Sequence, residues 1–189
     1  NTGLGGNYIL SASYSMITDM LFYSNLVFSD PLFDDQVGNH FFPITDDAQL
    51  FNLHGEINGL IGDKIFYNGK ANYFNYNLGS NEYPWSKQPW DAQFGIKYNL
   101  RNKIIAGIEL TALGKRRFIS TKSDLYLPST SYVFKSPVHV NANLSAEYRY
   151  TKILSFWLKV NNIAVNRNYD WAFYPTQRFM CMLGLTYSL

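Results

Sequence analysis

Between Val138 and Tyr150 the chain alternates without a break. Val138, Val140, Ala142, Leu144, Ala146, Tyr148 and Tyr150 share one parity; His139, Asn141, Asn143, Ser145, Glu147 and Arg149 share the other. A helix would scatter both sets around its circumference. A strand sorts them, because successive side chains point to opposite faces. The same period of two recurs over residues 8–16, 51–59, 90–100, 104–112, 154–161 and 179–189, and less clearly over 20–29 and 65–78. The pattern predicts nine strands, at 7–17, 20–29, 48–61, 65–78, 90–100, 103–113, 138–150, 153–164 and 177–189. No segment has a convincing helical period.

Such strands can build a soluble sandwich or a barrel in lipid, and two further features separate these. Charged residues make up 16% of the chain, against roughly 25% in ordinary soluble domains. Aromatics reach 17%, yet no run approaches the 18 or so apolar residues of a helical membrane span. A chain poor in charge, rich in aromatics and free of long apolar runs suits a wall with one lipid face and one wet face. The connections also alternate in length. Short ones are expected at 18–19, 62–64, 101–102 and 151–152, and long ones at 30–47, 79–89, 114–137 and 165–176. Transmembrane barrels pair short periplasmic turns with long extracellular loops in this way; a soluble sandwich has no reason to. The expected fold is therefore all-β, an antiparallel transmembrane β-barrel.

Topology extends the expectation. With short turns periplasmic, the last strand descends and, counting back through nine, so does the first, which puts Asn1 outside. Nine is odd, whereas single-chain bacterial barrels normally have an even count. Residues 1–189 thus read as one barrel segment, the C-terminal nine or so strands of a larger barrel, with no plug domain among them. The start at Asn1-Thr2, without a signal peptide, fits a processed protein or a fragment. A net charge of +2 does not suggest a nucleic-acid partner. The single cysteine, Cys181, leaves no intrachain disulfide.

The candidate sites follow from the parity. His54, Glu56, Lys70, Lys97, Glu109, Glu147, Arg149 and Lys159 are expected to line the lumen, where they pair with one another, line a solute path or grip a plug. Tyr83 and Trp85 in one long loop, and Tyr169, Trp171, Phe173 and Tyr174 in another, are candidates for ligand stacking or interface anchoring. Lys115, Arg116 and Arg117 open the 114–137 loop, placed to meet lipopolysaccharide phosphates. Asp30, Asp34, Asp35, Asp46 and Asp47 bracket the first long loop without matching a calcium-loop pattern. His40, His54 and His139 lack metal-ligand spacing. No nucleophile elbow, phosphate loop or dinucleotide fingerprint occurs, so no catalytic residue, metal or cofactor is expected and the chain is not read as an enzyme.

The last fifty residues carry a family likeness. Asn143-Leu144-Ser145-Ala146-Glu147-Tyr148-Arg149-Tyr150-Thr151-Lys152 is followed by Val160-Asn161-Asn162-Ile163, then Tyr169, Trp171, Tyr174-Pro175 and Gly184-Leu185-Thr186-Tyr187-Ser188-Leu189. This resembles the C-terminal end of TonB-dependent receptor-type barrels, particularly those of Bacteroidota. It departs at Leu189, where an aromatic is usual. The resemblance covers about a quarter of the chain. It implies an outer-membrane location, a 22-stranded barrel with an N-terminal plug, and energy-coupled import. The partners implied are outer-membrane lipid and lipopolysaccharide, and TonB through a region absent from these residues. The alternative is a non-transporting barrel subunit, a structural or assembly component held among other outer-membrane proteins.

Overall fold

The computed structural model describes residues 5–29, 39–124, 130–172 and 174–188. The strands are β1 (Gly5–Ser29), β2 (Asn39–Ile61), β3 (Ile65–Leu78), β4 (Trp90–Leu100), β5 (Ile104–Leu113), β6 (Arg117–Asp124), β7 (Thr130–Lys135), β8 (His139–Arg149), β9 (Leu154–Asn161), β10 (Tyr169–Trp171), β11 (Tyr174–Pro175) and β12 (Met180–Tyr187). Ten form one sheet, in the order β12-β9-β8-β5-β4-β3-β2-β1-β6-β7. Eight of those, from β12 to β1, make a continuous antiparallel wall. The wall does not close on itself: β12 ends the sheet on one side, and the lower part of β1 borders it on the other.

Two of the nine expected segments are one strand. Residues 7–17 and 20–29 both lie in β1, and residues 18–19 form a β-bulge rather than a turn. Ile17 pairs with Ala48 and Met20 with Asp46, so Thr18 and Asp19 together oppose Asp47. Asp19 takes φ 54°, and its backbone N–H donates to Asp47 Oδ1 at 3.1 Å. A bulge flips the facing of everything beyond it, which is why the alternation falters there. The second strand also begins earlier than expected, at Asn39.

With eight wall strands the topology changes. The short turns β2–β3, β4–β5 and β8–β9 still share one end, and β12 still runs towards it. β1 now starts there too, since Gly5 pairs with Leu60 beside the 62–64 turn. The chain therefore enters the wall at the short-turn end, not the long-loop end. Turn chemistry explains these tight reversals. Arg101 and Asn102 both take positive φ, as a type I′ turn requires. Asn102 N–H donates to Asn99 Oδ1 at 2.9 Å, and Lys103 N–H to the Leu100 carbonyl at 2.9 Å.

The wall has no core on either side. Register puts Ile96, Ile108, Leu144 and Val160 in one row and Phe94, Leu110 and Ala142 in the next, all on one face. That face is bare: Leu10 is 79% exposed, Met16 77% and Leu183 78%. Buried side chains gather instead at the long-loop end. They include Phe22, Asn25, Trp85, Phe118, Ser120, Asn162, Asn168 and Ala172. There the β6–β7 hairpin folds back from β5 and adds β6 in parallel to the top of β1, Ser24 to Ser29 against Ile119 to Asp124. Tyr169 packs against Phe134 of β7 and Trp171 against Tyr23 of β1, so that the long loops form a cap.

Candidate functional site

All eight lumen candidates lie on one face of the wall. Cross-strand register carries that face from β2 to β9: Glu56 opposes Lys70, Lys70 opposes Gln93, and Gln93 opposes Thr111. Phe66 opposes Lys97, Lys97 opposes Gly107, Gly107 opposes Ser145, and Ser145 opposes Lys159. Glu109 sits between Gly95 and Asn143. Glu147 and Arg149 lie near the short-turn end. Apart from Phe66, the residues named in these rows are polar or glycine, and an unbroken register preserves their facing across the sheet.

The polar face is partly self-paired. Arg149 Nε reaches Glu147 Oε1 at 3.0 Å. His54 anchors a chain of side chains: Nε2 lies 3.7 Å from Glu56 Oε2, and Nδ1 lies 2.7 Å from Asn72 Oδ1. Asn72 then donates from Nδ2 to Asp91 Oδ1 at 2.7 Å. An amide oxygen only accepts, so His54 Nδ1 carries the proton. Asn143 Nδ2 reaches Glu109 Oε1 at 3.5 Å. Lys159 Nζ sits 5.6 Å from the Trp157 ring centre. Lys70 and Lys97 have no ion pair among the described residues. Glu56, Lys97, Glu109 and Lys159 line a trough of about 490 Å³ along this face. Opposed charges in such a trough suit passage or docking of a polar group.

Trp157 lies flat across the face. A Cβ built on Gly184, its cross-strand partner, would meet the ring at 2.3 Å. Only a residue without a side chain lets the indole lie there. Asn72 and Asp91 are further residues of this face that the sequence reading did not name as candidates. Their signal was parity: both fall on the polar side of their strands.

At the long-loop end, the expected aromatics are drawn into the cap's own packing. Trp85 is 4% exposed; its Nε1 donates to Asn81 Oδ1 at 3.1 Å, and Tyr83 meets it edge-on at 5.4 Å. Tyr169 packs edge-on against Phe134 at 5.5 Å, and Phe134 in turn lies 5.9 Å from Phe118. Trp171 and Tyr174 keep about half-exposed rings, grouped with Tyr23 and Phe41 at centroid distances of 5.2 to 5.6 Å. Phe173, Asp30, Asp34, Asp35, Leu189 and the His40 side chain lie outside the described residues.

The basic trio divides. Arg116 is buried, not presented to solvent. Its Nη2 donates to the Tyr169 carbonyl and lies 3.3 Å from Asp170 Oδ1. Its backbone N–H donates to Ser136 Oγ at 3.0 Å. Arg117 stays exposed but lies 4.2 Å above the Tyr83 ring. Lys115 is exposed.

Asp46, on the loop side of the bulge and outside the lipid-facing belt, pins the 79–89 loop. Its carboxylate accepts the Asn81 N–H at 2.7 Å, the Ser80 N–H at 3.0 Å and Asn81 Nδ2 at 3.0 Å. The Asn81 and Ser80 N–H groups hold its pKa below the usual carboxylate range. Those oxygens are spent on the loop.

Among the described residues, no group of three metal-ligating side chains gathers.

No family model matches the chain. No curated protein matches it either. Solved structures do. The Pseudomonas aeruginosa receptor FpvA, bound to a heterologous ferric pyoverdine, superimposes over 96% of this chain with a TM-score of 0.73 at 14% identity. FpvA bound to pyoverdine gives 0.69 over 97% at 15% identity. The siderophore receptor PiuA of Acinetobacter baumannii gives 0.66 over 96% at 13% identity.

The fold is that of an outer-membrane β-barrel.

The chain spans about a quarter of the length of these receptors: 24%, 27% and 26%. An unclosed eight-strand wall is what such a portion of a larger barrel looks like. In barrels of this kind the apolar face meets lipid and the polar face meets the lumen.

Proposed function

We infer that this chain is part of a TonB-dependent receptor-like barrel that binds a solute at its outer mouth and imports it across the outer membrane. The observation that carries the reading is the wall itself: eight antiparallel strands, apolar outside and charged inside, matched over nearly their whole length by siderophore receptors. β12 and the part of β1 not paired with β6 leave the wall open on both sides, and further strands of the same barrel would pair them. The trough of Glu56, Lys97, Glu109 and Lys159 is then the surface that meets solute or plug. TonB acts through a region outside these residues, and the Bacteroidota-type finish at residues 184–189 belongs to the same reading. The exposed Lys115 is the member of the basic trio left to meet lipopolysaccharide phosphate.

The test is solute uptake by cells producing the intact protein. Import that stops when the proton-motive force is collapsed or TonB is removed is the expected result. A protein that passes nothing, and purifies from native membranes with stoichiometric partners and a blocked lumen, contradicts it and favours an assembly subunit.

A further inference from the structure

The apolar face of the wall carries a notch near its short-turn end. Ala106 of β5 and Ala146 of β8 oppose each other in register, with Tyr98 beyond one and Leu158 beyond the other. One row nearer the long loops stand Ile108 and Leu144. Two neighbouring methyl groups thus sit among long apolar side chains, and the surface sinks there by most of a side chain. The result is an open slot of about 410 Å³.

The turns beside this slot are basic. Residues 101–103 and 150–153 contain Arg101, Lys103 and Lys152 and no carboxylate. All three cations are exposed. Lys103 and Lys152 line one hollow of about 600 Å³ at the rim, together with Arg149 and Thr151. Glu147 answers Arg149 at 3.0 Å. Neither lysine has an ion pair among the described residues, so these two set the charge of the hollow. Thr151 Oγ1 accepts the N–H groups of Ile153 and Leu154 at 3.3 and 3.0 Å, which leaves its hydroxyl proton to be donated. The lining takes in Tyr150 and Leu154 from the apolar parity as well as Ser155 and Thr186 from the polar one. The hollow therefore wraps over the rim instead of opening only inward.

Slot and hollow lie within reach of one amphipathic molecule. Lys103 precedes Ala106 by three residues, about 10 Å of strand. One row of the apolar face, Ile104 and Tyr148, lies between them. An anionic head at the rim and a hydrocarbon tail running up the wall would meet both. Tyr98, Tyr148 and Tyr150 cluster at this level, as aromatic girdles do at membrane interfaces. Short turns are periplasmic in such barrels, so the lipid at this level is a glycerophospholipid of the inner leaflet. Basic pockets beside membrane-facing surface favour anionic head groups.

We propose that the notch and the rim hollow together bind one anionic glycerophospholipid, its phosphate between Lys103 and Lys152 and an acyl chain over Ala106 and Ala146. The proposal rests on the membrane placement of the wall and not on any transported solute.

The test is native mass spectrometry of the intact protein in detergent, titrated with dioleoyl phosphatidylglycerol or dioleoyl phosphatidylethanolamine. Phosphatidylglycerol should be held at least about tenfold more tightly. Lys103→Gln and Lys152→Gln should each weaken it by about fivefold, and leave the zwitterionic lipid within about twofold. Ala146→Trp and Ala106→Trp should fill the notch and weaken both lipids by about tenfold. Both positions face away from any core, and two strands carry them, so one variant tests the notch if the other fails to fold. Lys87→Gln, in the 79–89 loop at the other end, should change nothing. Equal retention of the two lipids, or phosphatidylglycerol binding unmoved by either tryptophan, overturns the proposal. So does a dimer that the tryptophans dissociate, which makes a second copy the occupant. A protein that stays monodisperse once detergent is removed contradicts the membrane reading itself. One that needs detergent yet shows no lipid preference removes only the proposal.

Discussion

The wall and the cap are held together by different forces. On the short-turn side of the Thr18-Asp19 bulge, the large apolar side chains of the wall strands stand bare on one face. The wall's cohesion is the backbone ladder, and hydrocarbon takes the place of a core. The cap has a true interior. Phe22 and Phe118 are 0% and 2% exposed, and buried Arg116 ties the β5–β8 connection to the β9–β12 loop. One chain thus contains a lipid-solvated sheet and a small water-soluble-style core, joined at the Thr18-Asp19 bulge. The difference teaches that exposure of Leu, Phe and Tyr means opposite things at the two ends.

Core truncation should break the comparison most sharply. Phe118→Ala is expected to remove about 3–5 kcal/mol from the cap, read as faster hydrogen exchange in β6, β7 and residues 162–172. The wall amides should keep their protection. Loss of protection throughout would mean that wall and cap are one cooperative unit.

A charge on the bare face should do the converse. Leu144→Arg is expected to cost about 2–4 kcal/mol in denaturant titrations of the protein folded into phospholipid vesicles. Its neighbour Ser145→Arg, on the polar face, should cost far less. Equal costs would argue that both faces meet the same medium.

The loop-to-loop tie gives a smaller, graded effect. Arg116→Met removes buried charged hydrogen bonds and should loosen the cap by about 1.5–3 kcal/mol. Asp170→Asn should cost about 0–1 kcal/mol, because that carboxylate is more than half exposed and screened. A larger loss from Asp170→Asn would shift the anchor from the Tyr169 carbonyl to the ion pair.

The smallest effect is a pH dependence confined to the 79–89 loop. The Asp46 carboxyl titrates lower when folded, so its contribution is complete above the usual carboxylate range. That contribution is lost as pH falls through the lowered value. Amide exchange at Ser80 and Asn81 should accelerate on acidification, after correction for intrinsic rates. Asp46→Asn should abolish that dependence, and a dependence that survives would place the titrating group elsewhere.

Much of the wall was legible in the sequence because period two is a property of the strand itself. The parity of residues 138–150 fixed the faces of Glu147 and Arg149 without reference to any neighbour. The bulge was illegible for a physical reason. Asp in a left-handed conformation serves a bulge and a turn equally well, so residues 18–19 read as a reversal and one strand became two. That error also inverted the starting side of the chain. The cap was hidden for another reason. Arg116 meets Tyr169 and Asp170 across 50 or so residues of chain, and no local pattern records that β6 returns to pair with β1. The notch was half visible: Ala106 and Ala146 stood on the apolar parity, but they become neighbours only once β5 pairs with β8.

The sidedness of the wall is tested most directly by spin labels placed one at a time at residues 140–148, in a Cys181→Ser background, with the intact protein in bilayers. Oxygen accessibility should peak at 140, 142, 144, 146 and 148, and accessibility to a polar nickel chelate at 141, 143, 145 and 147, alternating at every step. A uniform profile, or polar-reagent access at Leu144 equal to that at Ser145, would contradict the account.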